Sequence, residues 1–192
     1  VPGVQSAGTN SGLPLAGNNW GRSLTVEGSP VLSVGEAPMI NHCVISRDYF
    51  SAMGITILKG RDFDERDSSA PSVPQIAAHD EVMSAPSTGV TIIDERLTRK
   101  YWPDEDAIGK RIRFGPPEDN EPWHTIVGVV SEVKHQRLDT STRESVYLPF
   151  AQMPIGGSSL AIRTSGRPES LIAAVRDQVR ELDPDLPLTR VM

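Results

Sequence analysis

Twice along this chain an apolar extended run feeds a short helix with a defined stop, and the chain then turns back into an extended path. The first unit is Val44-Ile45-Ser46-Arg47-Asp48-Tyr49-Phe50-Ser51-Ala52-Met53-Gly54-Ile55, continued by Lys59-Gly60-Arg61-Asp62-Phe63. The second leads from Thr91-Ile92-Ile93-Asp94 through Tyr101-Trp102-Pro103 to Ile108-Gly109-Lys110-Arg111-Ile112. Helices this short are marginal in water alone and need an apolar face laid on neighbouring strands. The chain therefore reads as strands with interleaved helices towards both ends and a strand-rich middle.

Local chemistry sets the ends of both helices. Ser46 is placed to cap the first, with Asp48 as a carboxylate near its N-terminus. Tyr49, Phe50 and Met53 share one face, Gly54 follows as a left-handed C′ residue, and Ile55 folds back onto the last turn. Ile57-Leu58 resumes an extended path until Lys59-Gly60-Arg61 turns it. Asp94 caps the second helix, Leu97 and Tyr101 lie on one side, and Pro103 stops it.

Strands are expected at Val4–Thr9, Leu24–Glu27, Met39–Ile45, Val90–Ile93, Ile112–Phe114, Ile126–Val130, Val146–Leu148 and Leu160–Arg163. The run Ile126-Val127-Gly128-Val129-Val130 is short and β-branched, as in a strand covered on both faces. A third helix opens at Pro168-Glu169 and ends at Asp183-Pro184, with Leu171, Val175, Val179 and Leu182 forming a single stripe. Burial of each would contribute roughly 1.5–3 kcal/mol. A last strand is expected over Leu186–Val191. Residues 64–89, rich in Ser, Pro and Gly, read as a long mobile loop.

A chain of 192 residues allows one domain or two small ones. Its net charge is −6 and its basic residues are scattered, with no run beyond pairs such as Arg99-Lys100 and Lys110-Arg111. That excludes the basic stripe a nucleic-acid-binding surface needs. Cys43 is the single cysteine, so no disulfide forms within the chain, and it reads as a small buried hydrophobe. The run Ile126–Val130 falls far short of the roughly 20 apolar residues that span a bilayer. The sequence opens on Val1-Pro2-Gly3 with no initiator Met and no basic, apolar leader, as expected of an excised domain or processed product.

The search for catalytic chemistry is largely empty. The sequence holds no phosphate-binding Gly-x-x-x-x-Gly-Lys-Ser/Thr loop, no Gly-x-Ser-x-Gly elbow, no His-Glu-x-x-His and no Cys-x-x-Cys. His79-Asp80-Glu81 gathers ligand types, but with one imidazole and inside the loop-like segment. His42 and Cys43 are adjacent on a strand and point to opposite faces. His124 and His135 are separated by up to roughly 35 Å of extended chain. Asp104-Glu105-Asp106 reads as a solvated acidic turn. The expected catalytic, cofactor and metal sites are therefore none. Arg61, just past Gly60, is the charged residue of most interest, placed to bond carbonyl groups or a carboxylate such as Asp62 or Asp64.

Five short motifs recur here in a fixed order: Ser46-x-x-Tyr49-Phe50-x-x-x-Gly54-Ile55, Gly60-Arg61-x-Phe63, Ile108-Gly109-Lys110-Arg111-Ile112, Ile126-Val127-Gly128-Val129-Val130 and Val146-Tyr147-Leu148-Pro149. In this order they resemble the extracytoplasmic core domain of MacB-like ABC transporter permeases, the group that includes FtsX-type permeases. The long 64–89 segment departs from that pattern. The resemblance implies a porter-like α+β subdomain from both chain ends, residues 1–60 and 143–192, and an inserted mostly-β subdomain, residues 61–142. It implies a non-enzymatic module on the periplasmic side of the cytoplasmic membrane, with structural roles for Gly54, Gly60, Arg61 and Gly109. Such a module would relay nucleotide-driven motion for efflux or a related transport process. Its partners would be the permease's own transmembrane helices, a separate ATP-binding subunit or domain, and a periplasmic adaptor, lipoprotein or peptide. The isolated domain would be monomeric and the full permease dimeric, with no cofactor. The alternative is a receptor with a cleft between the subdomains for a small molecule or peptide.

Overall fold

The computed structural model describes residues 1–14, 21–30, 37–69, 89–115, 121–133 and 143–186. In chain order these give β1 (Val4–Asn10), β2 (Gly21–Val26), β3 (Met39–Ile45), α1 (Tyr49–Met53) and β4 (Ile57–Gly60). A 3₁₀ turn (Glu65–Ser69), β5 (Gly89–Asp94), α2 (Glu95–Tyr101), β6 (Arg111–Phe114) and β7 (His124–Val130) follow. The chain continues with β8 (Ser145–Pro149), β9 (Ser159–Thr164), a second 3₁₀ turn (Pro168–Leu171) and α3 (Ile172–Leu182). The fold is α+β.

All nine of these strands join one sheet, in the order β2-β6-β7-β5-β8-β3-β1-β9, with β4 added on β7. Strand β2 also pairs with β3, through Gly21 opposite Asn41 and Ser23 opposite Met39. That extra pairing closes β2, β6, β7, β5, β8 and β3 into a six-membered ring. Two pairs, β3 with β8 and β5 with β7, are parallel, and the others are antiparallel. The ring takes β2, β3 and β8 from the chain ends and β5, β6 and β7 from the middle.

Closure explains the alternation of the core. One buried cluster draws on every strand of the ring: Leu24, Ile40, Ile93, Phe114, Ile126 and Val146 among others. Leu97, Trp102 and Ala107, from α2 and the turn after it, join this cluster and plug one end. Neighbouring residues of the same strands face the other way. Cys43, Ile45, Ile92 and Tyr147 pack outside the ring against Tyr49 and Phe50 of α1. The side-chain period of two sorts β3, β5, β7 and β8 between these two clusters.

Three expectations need correction. Ser46 does not cap α1: its hydroxyl oxygen accepts from the Thr9 N–H of β1 at 2.8 Å, a competing donor that only the sheet brings near. The residue before the helix is Asp48, at φ 62°, with no side-chain cap. The span 64–89 is not loop throughout, since Glu65–Ser69 forms the 3₁₀ turn and Gly89 opens β5. The stripe on α3 exists, but no residue of that helix is buried and Leu182 is 88% exposed. Periodicity reported an amphipathic helix correctly; whether a surface lies beneath it is not in the pattern. Residues 70–88, with His79, Asp80 and Glu81, lie outside the described residues, as do His135 and residues 187–192 of the last expected strand.

Candidate functional site

The loops leaving β3, β4 and β8 converge on one rim of the sheet, where Ile45–Arg47, Phe63–Ser68 and Pro149–Ala151 face each other. Gly60 starts this junction. It sits at φ 71°, and an added Cβ would run into the Val127 carbonyl oxygen of the paired strand and come 2.8 Å from Ile108. Only glycine fits both the conformation and the space. The chain therefore turns sharply at the end of β4 and delivers Arg61 onto the rim, its own N–H donating to the Val127 carbonyl at 3.0 Å.

The Arg61 side chain closes a two-pronged pair with Asp67 of the 3₁₀ turn, Nη1 to Oδ2 at 2.7 Å and Nη2 to Oδ1 at 2.8 Å. The same Nη1 donates to the Asp62 carbonyl at 2.9 Å and lies 3.3 Å from Asp64. The chief carboxylate partner is thus Asp67, whereas the sequence had pointed to Asp62 or Asp64. The planar fork of guanidinium on carboxylate fixes the turn in orientation as well as position. Asp67 is 4% exposed and also accepts from the Asp64 N–H at 2.8 Å. Its carbonyl accepts from Gln152 Nε2 at 2.9 Å, and Gln152 Oε1 accepts from the Val90 N–H at 3.0 Å. One chain of hydrogen bonds thereby joins β4, the 3₁₀ turn, the turn after β8 and the start of β5.

Gly54 takes φ 70° at the end of α1, and its N–H donates to the Ser51 carbonyl. Beside it, Nε of Arg163 on β9 donates to the Ser51 and Ala52 carbonyls at 3.0 and 3.2 Å. A cation thus covers carbonyl groups that the helix end leaves open. Gly109 stands at φ 84° in the turn before β6, its N–H bonded to the Ile126 carbonyl at 2.8 Å.

Other buried titratable groups lie apart from this rim. The rings of His42 and His124 both pack edge-on to Phe114, with centroids 5.1 and 5.4 Å away. Arg22 lies over the same ring. Burial, with Arg22 adding, pushes both imidazoles down to about 4, so both are neutral near pH 7. Among the described residues, His42 Nε2 and His124 Nδ1 have no hydrogen-bond partner. Asp94 caps α2 through the Leu97 N–H at 2.9 Å and holds the Ser145 N–H at 2.9 Å with its other oxygen. Burial raises its carboxyl to about 7, against the pull of those two N–H groups. Burial also raises the Cys43 thiol to about 12, which leaves it unreactive. Among the described residues no three His, Cys, Asp or Glu side chains gather as metal ligands.

Sequence reasoning singled out Gly54, Gly60, Arg61 and Gly109 and did not name Asp67, Gln152, Arg163 or the packing of His42 and His124 on Phe114. Asp67 follows Arg61 by six residues, a spacing that only a tight turn makes meaningful. Gln152 and Arg163 act over long sequence separations and left no local signal.

The chain matches the family described as MacB-like periplasmic core domain across residues 2–182. Among curated proteins, none matches it. Three solved structures resemble it in fold. The periplasmic region of MacB from Actinobacillus actinomycetemcomitans superposes with a TM-score of 0.58 at 18% identity, covering 95% of this chain and 69% of that one. A domain of a protein described as a permease, from Porphyromonas gingivalis, gives 0.53 at 23% identity, covering 100% and 80%. The extracellular domain of the ABC-type transporter YknZ from Gram-positive bacteria gives 0.56 at 13% identity, covering 100% and 83%. No helix among the described residues is long and apolar enough to cross a membrane.

Proposed function

From a chain that belongs to the MacB-like periplasmic core domain family, and is thus an extracytoplasmic domain of an ABC transporter permease, we propose a non-enzymatic relay. The domain carries motion driven by nucleotide in an ATP-binding subunit or domain to a substrate or partner protein outside the membrane. The carrying observation is the closed ring of strands. In an open sheet a strand end can peel away alone, but here each ring strand is laddered on both sides. Displacement applied at one point therefore moves the whole body, a rigid-body transmission rather than a local rearrangement.

The division into residues 1–60 with 143–192 and residues 61–142 is part of this proposal. Its seam crosses the β5–β8, β2–β6 and β4–β7 ladders. The Arg61–Asp67–Gln152–Val90 chain crosses it too, so we infer that Arg61, with Gly60, locks the parts together, while Gly54 and Gly109 hold turns in place. In this reading the isolated domain is monomeric, and pairing of the full permease depends on its membrane segments.

The test uses the full permease with spin labels on cysteines introduced at Ser51 and Asp104. Both positions are exposed, and Cys43 is buried and stays unlabelled. The distance between the two labels within one domain should hold constant between nucleotide-free and nucleotide-bound states. A single label at residue 51, read between the two copies, should change. A changed distance within the domain, or no change between copies, would refute the relay.

A further inference from the structure

On the rim held by Arg61 lies a half-open cavity of about 170 Å³. Ile45, Phe63, Pro149 and Phe150 form its apolar lining, and Arg47, Asp64 and Asp67 its charged lining. Phe63 is buried, whereas Phe150 is 37% exposed, high for a large ring in this fold. The relay reading says nothing of what meets this surface.

The size limits the occupant. Small-molecule sites commonly run to several hundred Å³, roughly 300 or more, whereas a cavity near 150 Å³ takes about one aromatic ring. This cavity suits one side chain of a larger partner. The charge around it limits the occupant further. In the stretches 47–48 and 61–67 there are five carboxylates and three guanidiniums. All three guanidiniums are already paired inside the cluster: Arg47 with Glu65, Arg61 with Asp67, and Arg66 with Asp64. The Asp62 carboxyl is held above its ordinary value chiefly by burial, with Asp48 and Asp67 adding and the Phe63 N–H and Arg61 opposing.

We propose that this cavity is a docking site for a peptide segment of an extracytoplasmic partner, taking one apolar side chain flanked by Lys or Arg. The apolar side chain covers Phe150 and Phe63. The flanking cation meets Asp48 and Asp62, the two carboxylates of the cluster that no guanidinium among the described residues pairs, since Asp64 is already held by Arg66 and Arg61. The proposal extends the relay reading by naming the chemistry of a partner, and its test uses the domain alone, so its failure leaves that reading intact.

The test is a titration of the ¹⁵N-labelled domain followed by amide shifts, with acetyl-Lys-Leu-Lys-amide as probe. Acetyl-Glu-Leu-Glu-amide and acetyl-Lys-Gly-Lys-amide are the controls. The first should shift Ile45–Arg47, Phe63–Ser68 and Phe150–Ala151 saturably, with a Kd of roughly 1 mM or below. Both controls should bind about tenfold more weakly, since each removes one of the two matched features. Ala151→Trp, at an exposed position on the wall, should fill the cavity and weaken binding about tenfold. Asp48→Asn, at an exposed position, should weaken it about threefold, and this variant decides the matter if Ala151→Trp does not fold. Absence of saturable shifts at these residues, equal response to all three peptides, or full binding to a folded Ala151→Trp or to Asp48→Asn would overturn the proposal.

Discussion

Asp67→Ala isolates the contact on which the rim depends. The substitution removes two guanidinium–carboxylate bonds, of 2.7 and 2.8 Å, and the acceptor for the Asp64 N–H at 2.8 Å. Losing one partner of a fully buried pair costs about 3–5 kcal/mol. An exposed pair is worth roughly 0–1 kcal/mol. This pair lies between those limits, since Asp67 is 4% exposed but Arg61 is 34% exposed and still reaches Asp64. Water and Asp64 recover part of the loss, and the expected destabilisation is about 2 kcal/mol.

Urea melts would read it as a lower midpoint at unchanged slope, and a thermal melt as a fall of about 4–8 °C for a domain of this size. A cycle with Arg61→Ala adds the decisive comparison, because the two residues touch and their effects should not sum. A coupling of about 1–2 kcal/mol is expected. The Val90 amide, held by Gln152 on the far side of the network, should exchange faster in Asp67→Ala. A loss below about 0.5 kcal/mol, or additivity in the cycle, would show that the fork decorates the rim without holding it.

Gly54→Val should lose about 1–3 kcal/mol in the same melts, because φ 70° strains a β-branched residue; a neutral result would mean the backbone there relaxes freely. The two buried imidazoles make stability depend on pH. In the unfolded chain they take protons near 6.5, in the fold only near 4, so stability is full above about 6.5 and is lost as pH falls towards 4. Asp94 acts in the opposite sense, binding its proton near 7 in the fold and near 3.8 when unfolded, so it offsets part of that loss. His42→Leu should flatten the fall in stability between pH 6.5 and 4, and an unchanged slope would refute the assignment to His42. Sedimentation at micromolar concentration should show a monomer, and a tight dimer there would count against pairing through membrane segments.

Much of the fold was legible because its signals are local. Asp94 is a competent cap whatever surrounds it, and Pro103 ends a helix in any context. The β-branched run at Ile126–Val130 reads as a covered strand because few other structures accept it, and the structure places it between β5 and β6 with β4 alongside. Local signals failed where a distant group competed. The Ser46 hydroxyl could cap a helix or accept from a neighbouring strand, and only the position of β1 decides between them. In the same way Leu171, Val175 and Val179 make a valid stripe, but they stay only half-buried because no sheet face of the described residues covers them.

The rim was half legible for the same reason. Gly60 and Arg61 are adjacent, and a glycine that frees a turn before an arginine is a pattern one can read. The residues that give Arg61 its role come from elsewhere: Asp67 through a 3₁₀ turn inside a stretch that composition marks as loop, and Gln152 from beyond β8. Ring closure was still further from view. It rests on β2 reaching β3 at one end and β6 at the other, by Ser23 opposite Met39 and Leu24 opposite Phe114. Nothing in the alternation of Leu24 and Val26 says that their strand has two neighbours. Yet that double pairing closes six strands into a ring, and the ring draws equally on the chain's ends and its middle. On the relay we propose, a domain closed in this way would resist internal hinging and answer a pull at either end by displacement as a whole.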